Sequence, residues 1–97
     1  MARWRLSPEA GEDLLEIGRY TTQEWGEAQS ERYLDRLNDT FHRLVLMPGL
    51  GRARDDIRPG VFSYPAGRHM VWYRPVETGI EILRVLHTRQ RSEDALP

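Results

Sequence analysis

The chain has 97 residues, 39% of them hydrophobic, which is enough for one small core, so a single domain over 1–97 is expected. It has no cysteine, which excludes a disulfide framework and thiol chemistry, and its net charge of −1 is too modest to argue a nucleic-acid binder. No apolar stretch follows "MAR" and the longest aliphatic run, "LVLM", is far too short to cross a bilayer, so no signal peptide, no membrane span and a cytoplasmic location are expected.

The opening "RWRLS" alternates, with Trp4 and Leu6 on one side and Arg3 and Arg5 on the other, and predicts a short strand with one buried face. "SPEAGEDLLEIGRYTTQEWG" predicts a helix. Ser7 can cap it, Pro8 suits its first position because the missing N–H costs nothing there, and Gly26 stops it. Ala10, Leu14, Ile17 and Thr21 recur at helical spacing, while Glu9, Glu12, Asp13 and Glu16 lie mostly off that stripe and predict a solvated charged face. A second helix, "EAQSERYLDRLNDTFHRLVLM", carries the stripe Leu34, Leu37, Phe41 and Leu44 and ends at Pro48. The short connection predicts an antiparallel helical hairpin.

After the loop "PGLGRARDDIRPG" the period changes to two. "VFSYP", "RHMVWYR" and "IEILRVLH" predict three strands joined by short turns at Ala66-Gly67 and "PVETG", an antiparallel meander. The expected fold class is therefore α+β: a small antiparallel sheet in the order β-α-α-β-β-β, with a two-helix hairpin packed on one face. Alternation places Ile80, Ile82 and Leu86 on one face of the last strand and Leu83 and Val85 on the other. In the strand before it, Val71 and Tyr73 oppose Met70 and Trp72. One hairpin covers one face, and the tail "SEDALP" is short and polar, so a partner is expected to cover the rest.

The charge is uneven along the chain. Residues 1–50 carry six arginines against nine acids, whereas residues 51–91 carry eight arginines against four acids. All 14 basic residues are arginine. His42, His69 and His87 are far apart and form no spaced ligand pair, so no metal site and no cofactor are expected, and His42 is expected at the surface. The chemistry-bearing residues that remain are Arg68, His69, Arg74, Arg84, His87, Arg89 and Arg91 on and after the last strands. Histidine as acid or base with arginines around it could cleave a phosphodiester. Charged residues finishing exposed strand ends give the same pattern, and on the residues alone that plainer reading is favoured.

Five landmarks in order change the balance: "LSPEAGEDLLEIGRYTTQEWG", "YLDRL", "MPGLGRARDDIRPG", "GRHMVWYR" and "IEILRVLHTR". Together they cover residues 3 to about 91, and they resemble the ParE branch of the RelE/ParE toxins of type II toxin–antitoxin systems. The resemblance implies a toxin that inhibits DNA gyrase by trapping its cleaved-DNA complex. It implies a cognate, ParD-like antitoxin, and neither enzymatic activity nor sequence-specific DNA binding by the toxin alone. The alternatives are a RelE-like ribosome-dependent mRNA endoribonuclease and a non-toxic partner or co-repressor of its antitoxin. In the ribonucleases, the tail "RQRSE" matches with an arginine at Arg89. Their other working groups fall near Val61, Ser63, Met70 and Ala95, which cannot serve. Arg68, Arg74, Arg84, His87, Arg89 and Arg91 are thus target-binding candidates rather than catalytic ones. Trp25, Met70 and Trp72 are the antitoxin-binding candidates.

Overall fold

The computed structural model describes residues 3–89 and 96. Strand β1 (Arg3–Leu6) leads into helices α1 (Pro8–Trp25) and α2 (Glu27–Leu46), followed by a single 3-10 turn at Pro48–Leu50. Strands β2 (Arg52–Ala53), β3 (Phe62–Ala66), β4 (His69–Val76) and β5 (Gly79–His87) complete the regular structure among the described residues. The Ser7 hydroxyl caps α1 by accepting the Ala10 amide at 3.0 Å, with Pro8 at the first helical position. Gly26, at φ 86°, ends α1 and starts α2, so one residue makes the hairpin. A polar clasp sits beside it: the Thr21 and Ser30 hydroxyls lie 2.7 Å apart, and Thr21 donates to the Ile17 carbonyl at 2.6 Å.

The sheet runs β1-β5-β4-β3-β2. Two expectations are corrected here. The sheet is mixed, because β1 pairs with β5 in parallel, Arg3 to Gly79 through Leu6 to Ile82. It also has five strands, because Arg52 and Ala53, inside the stretch read as loop, pair with Ser63 and Phe62. Gly79 is required at the junction: at φ 145° a Cβ would stand 1.8 Å from the Arg3 carbonyl oxygen.

The hairpin closes one face as expected. Ile17, Leu37, Phe41 and Leu44 pack on Val71, Tyr73, Ile80 and Ile82 in the main core. The expected alternation fails along β5. Trp72 pairs with Arg84 but Tyr73 with Ile82, so Leu83 is an extra residue, a β-bulge that shifts the phase. Val85 therefore joins the main core, and Leu86 turns to the other face, the reverse of what strict alternation gives.

That second face is covered from within the chain, which corrects the expectation of an open surface. Val61, Trp72, Leu83 and Leu86 form a second cluster, with Ile57, Met70 and Leu96 packed against it. Trp72 is only 3% exposed. The loop after β2 supplies Arg54, whose guanidinium lies 4.9 Å from the Trp72 ring centre and is held by Asp56 in two hydrogen bonds of 3.0 and 3.1 Å. Leu96, in a tail read as polar, supplies a further apolar contact.

Candidate functional site

The expected basic surface resolves into separate arrangements rather than one cluster. Arg84 is the most constrained. Its Nε and one terminal nitrogen donate to the two oxygens of Asp13, at 2.7 and 2.8 Å, and the Val85 amide donates to the same carboxylate at 2.9 Å. The Ser7 hydroxyl donates to the Leu83 carbonyl at 2.8 Å. β1 reaches only as far as Ile82 along this side of β5. Beyond it, the α1 cap residue Ser7 and Asp13 of α1 complete the hydrogen bonding of the bulged backbone. Asp13 is buried at 9% exposure, which corrects its placement on a solvated face. The pair is a fork-to-fork contact across 71 residues of sequence, and the Asp13 hydrogen bonds raise the Arg84 pKa further.

Beside it, Asp13, Ile17, Tyr20, His69, Arg84 and His87 line an open cleft of about 490 Å³. The His69 and His87 rings meet edge to face at 5.5 Å, and the Tyr33 hydroxyl lies 2.5 Å from His69 Nδ1. Burial, followed by the neighbouring His87 charge, pushes the His69 pKa down to about 4, so its imidazole is neutral near pH 7. Tyr33 accepts the Arg68 amide at 3.0 Å, and its hydroxyl proton faces two acceptors, His69 Nδ1 and the Ala66 carbonyl at 3.3 Å. Burial raises the Tyr33 pKa. His87 Nδ1 accepts the Arg89 amide at 3.2 Å, and the Arg89 side chain is exposed. This arrangement orients two histidines, and of the two carboxylates that line the cleft, Asp13 is committed to Arg84 and the Val85 amide.

Arg74 lies on the other side of the molecule's charge pattern, bonded to Glu81 at 2.8 Å, and Glu81 also takes Arg5 at 3.5 Å. Arg68 sits over the half-buried Trp25 ring, 5.2 Å from its centre. Arg91 and Ala95 lie outside the described residues. His42 is exposed, with its ring edge-on to Trp4 at 4.4 Å. Among the described residues no group of three or more His, Cys, Asp or Glu side chains could hold a metal ion, and no helix is long and apolar enough to cross a membrane.

Three of the positions matched against ribonuclease working groups, Val61, Ser63 and Met70, fall on the second face of the sheet. Val61 and Ser63 are buried at 2% and 4%, and Met70 packs on Trp72 and its neighbours. That face is an apolar cluster under Arg54 and Leu96. The antitoxin candidates Met70 and Trp72 are therefore covered by the chain itself, and Trp25 is half-buried against Tyr33. The exposed apolar surface lies elsewhere. Leu6, Leu14, Leu15 and Leu34 line a groove between the two helices that continues past Gly18, with Leu15 62% exposed. Sequence reasoning missed this groove because it spent Leu14 and Leu34 on the core. The signal present was Leu15, one residue off the stripe and without an inward position.

A family model described as the ParE toxin of the type II toxin-antitoxin system parDE matches residues 4–92. The chain is 43% identical over 89 residues to "Toxin ParE1" of Mycobacterium tuberculosis, covering 91% of each chain. It is 38% identical over 87 residues to "Toxin ParE1" of Caulobacter vibrioides, covering 90% of each. Among solved structures, a chain of the chromosomal ParDE toxin–antitoxin system from P. aeruginosa superposes with a TM-score of 0.76 at 19% identity, over 90% of this chain and 96% of that one.

Proposed function

This chain belongs to the ParE toxin family of type II toxin–antitoxin systems, and on that premise we propose that it inhibits DNA gyrase without being an enzyme and is silenced by a cognate antitoxin. The observation that carries the non-enzymatic reading is the second face of the sheet. Where RelE-type ribonucleases would hold their working groups, Val61, Ser63 and Met70 stand in or beside an apolar cluster closed by Arg54 and Leu96. A buried face of this kind offers no group to activate a 2′-hydroxyl and no room for a phosphodiester. Of the histidines beside the cleft, His69 has Nδ1 bonded to the Tyr33 hydroxyl, and His87 Nδ1 accepts the Arg89 amide.

A gyrase poison needs only to bind the state in which DNA is cut more tightly than the religated one, so that the cut state accumulates. Arg89, with its side chain exposed beyond β5, and the cleft around His87 and Tyr20 are available for such contacts. Arg84 is not: it is spent on Asp13. The antitoxin's apolar segment fits the groove of Leu6, Leu14, Leu15 and Leu34, an exposed apolar surface that the two helices leave between them.

The test runs two assays on one preparation of the protein. Inhibition of gyrase supercoiling of relaxed plasmid, relieved by the antitoxin, with no cleavage of mRNA on ribosomes, is the expected result. Ribosomal cleavage that disappears in His87→Ala, with supercoiling untouched by the wild type, would sink the reading.

A further inference from the structure

A second charged surface lies away from both the cleft at the end of β5 and the helical groove. Along α2, Arg32, Arg36 and Arg43 are all exposed. At 3.6 residues per turn they lie within roughly 40° of one another around the helix, spaced about 6 and 10 Å along it. They border two adjoining open cavities of about 440 and 270 Å³ between α2 and the turn joining β3 to β4. Arg36, Tyr33 and Gly67 line both cavities, so the two are one continuous groove.

The turn brings in a fourth arginine and holds it rigidly. Gly67, at φ 60°, lies so close to Tyr33 that a Cβ would stand 2.7 Å from the ring. The Tyr33 hydroxyl takes the Arg68 amide at 3.0 Å. Arg68 is thereby set over Trp25, beside Arg32, whose guanidinium is itself steadied by two bonds to Gln29 at 3.0 and 3.3 Å. Arg43 reaches the Tyr64 hydroxyl at 3.5 Å. Among the described residues none of these four has a carboxylate partner, in contrast to Arg54, Arg74 and Arg84, each of which has one. Asp39 is the acid in the lining.

We propose that this groove binds the sugar–phosphate backbone of a nucleic acid. Guanidinium forks match phosphate oxygens in pairs, and a row of them along a helix neutralises successive charges. An acidic peptide would offer similar charges. Protein interfaces, however, draw their affinity from apolar anchors in desolvated pockets. Here Leu37 is buried, the Trp25 ring in the lining already lies under the Arg68 guanidinium, and the remaining aliphatic wall is Pro65 and Ala66. Backbone binding needs no such anchor, because its driving force is counterion release. The contact is to phosphate, so it is independent of sequence. It stands apart from the gyrase reading, since neither the groove nor its ligand is used there.

The test is fluorescence anisotropy of the full chain with a short labelled DNA duplex, an RNA duplex and poly-glutamate, across a salt series. We expect a dissociation constant of about 10⁻⁴ to 10⁻⁶ M for nucleic acid at physiological salt. Arg36→Gln and Arg43→Gln should each flatten the log–log salt slope by about 0.9, while Arg74→Gln leaves it unchanged. Binding of one duplex and not the other supports the proposal and identifies the source. The proposal is overturned if neither duplex binds, if the double variant Arg36→Gln/Arg43→Gln keeps the wild-type slope, or if poly-glutamate alone binds with the same arginine dependence. Should a variant fail to fold, the wild-type slope decides: a value near zero is incompatible with phosphate contacts.

Discussion

The two faces of the sheet are closed by different means. On one, two helices of 18 and 20 residues lay a continuous apolar surface over Val71, Tyr73, Ile80 and Ile82. On the other, a loop and one leucine cover a smaller cluster centred on Trp72. The first is a core in the ordinary sense, tied by packing. The second is assembled from parts with little apolar area of their own, and a guanidinium stacked on an indole stands where a helix would otherwise be. The comparison shows how a chain of this size can carry a sheet buried on both sides without a third helix. It also shows where stability should be concentrated.

The largest effect should come from the helical side. Phe41, on α2 and 3% exposed beside Trp4, should cost about 3–5 kcal/mol when cut to Ala, measured by chemical denaturation. A loss near zero would mean that the helices do not anchor the fold. Next, Asp13→Ala removes the clamp between α1 and the β5 bulge and strands the Arg84 guanidinium. About 2–3 kcal/mol should be lost, and Arg84→Ala in the same background should cost little more. If the two losses simply add, the pair is not coupled as the geometry requires.

A pH titration probes the same side of the molecule. His69 has its pKa lowered to about 4 in the folded chain, against 6.5 when unfolded, so the unfolded state takes up the proton first. Stability should be full above pH 6.5 and fall as pH drops toward 4. His69→Gln should flatten that slope, and an unchanged slope in the variant would exclude His69 as its origin. The smallest effects belong to the second face and the surface. Leu96→Ala should cost about 1 kcal/mol, because the leucine is only partly buried. Arg74→Ala, which breaks an exposed pair, should cost about 0.2–1 kcal/mol. A Leu96 effect as large as that of Phe41 would erase the distinction between the faces. Finally, Leu15→Asp should leave stability nearly unchanged and weaken antitoxin capture, which calorimetry of the two purified proteins can read.

What could be read from the amino-acid order follows a physical pattern. Ser7, Pro8 and Gly26 act on their immediate neighbours, so the helix limits were legible. The period-two runs of β3, β4 and β5 were legible for the same reason. The parallel pairing of β1 with β5 was not, because four residues of β1 find a partner whose identity is set by the whole fold. Nor was the bulge at Leu83. Nothing in "IEILRVLH" marks it, and a single inserted residue exchanged the faces of Val85 and Leu86. Asp13 looked like one of four solvated acids because its partner is 71 residues away. The candidate residues were legible as a set of charges, but not as a set of partnerships. Arg74 and Arg84 proved to be paired, and Trp72 proved to be covered by Arg54.

The junction at Gly79 has a consequence in time. Arg3 donates its amide to the Thr78 carbonyl and Ser7 to that of Ile82, both at 2.9 Å, so the first strand made is completed by the last. During synthesis the helical hairpin can form early from local contacts, but β1 has no partner until β5 has left the ribosome. The cleft at the end of β5 and the clamp from Asp13 are therefore assembled only once β5 has emerged. A nascent chain stalled before Gly79 would carry both helices but neither the Asp13–Arg84 clamp nor the cleft at the sheet's end.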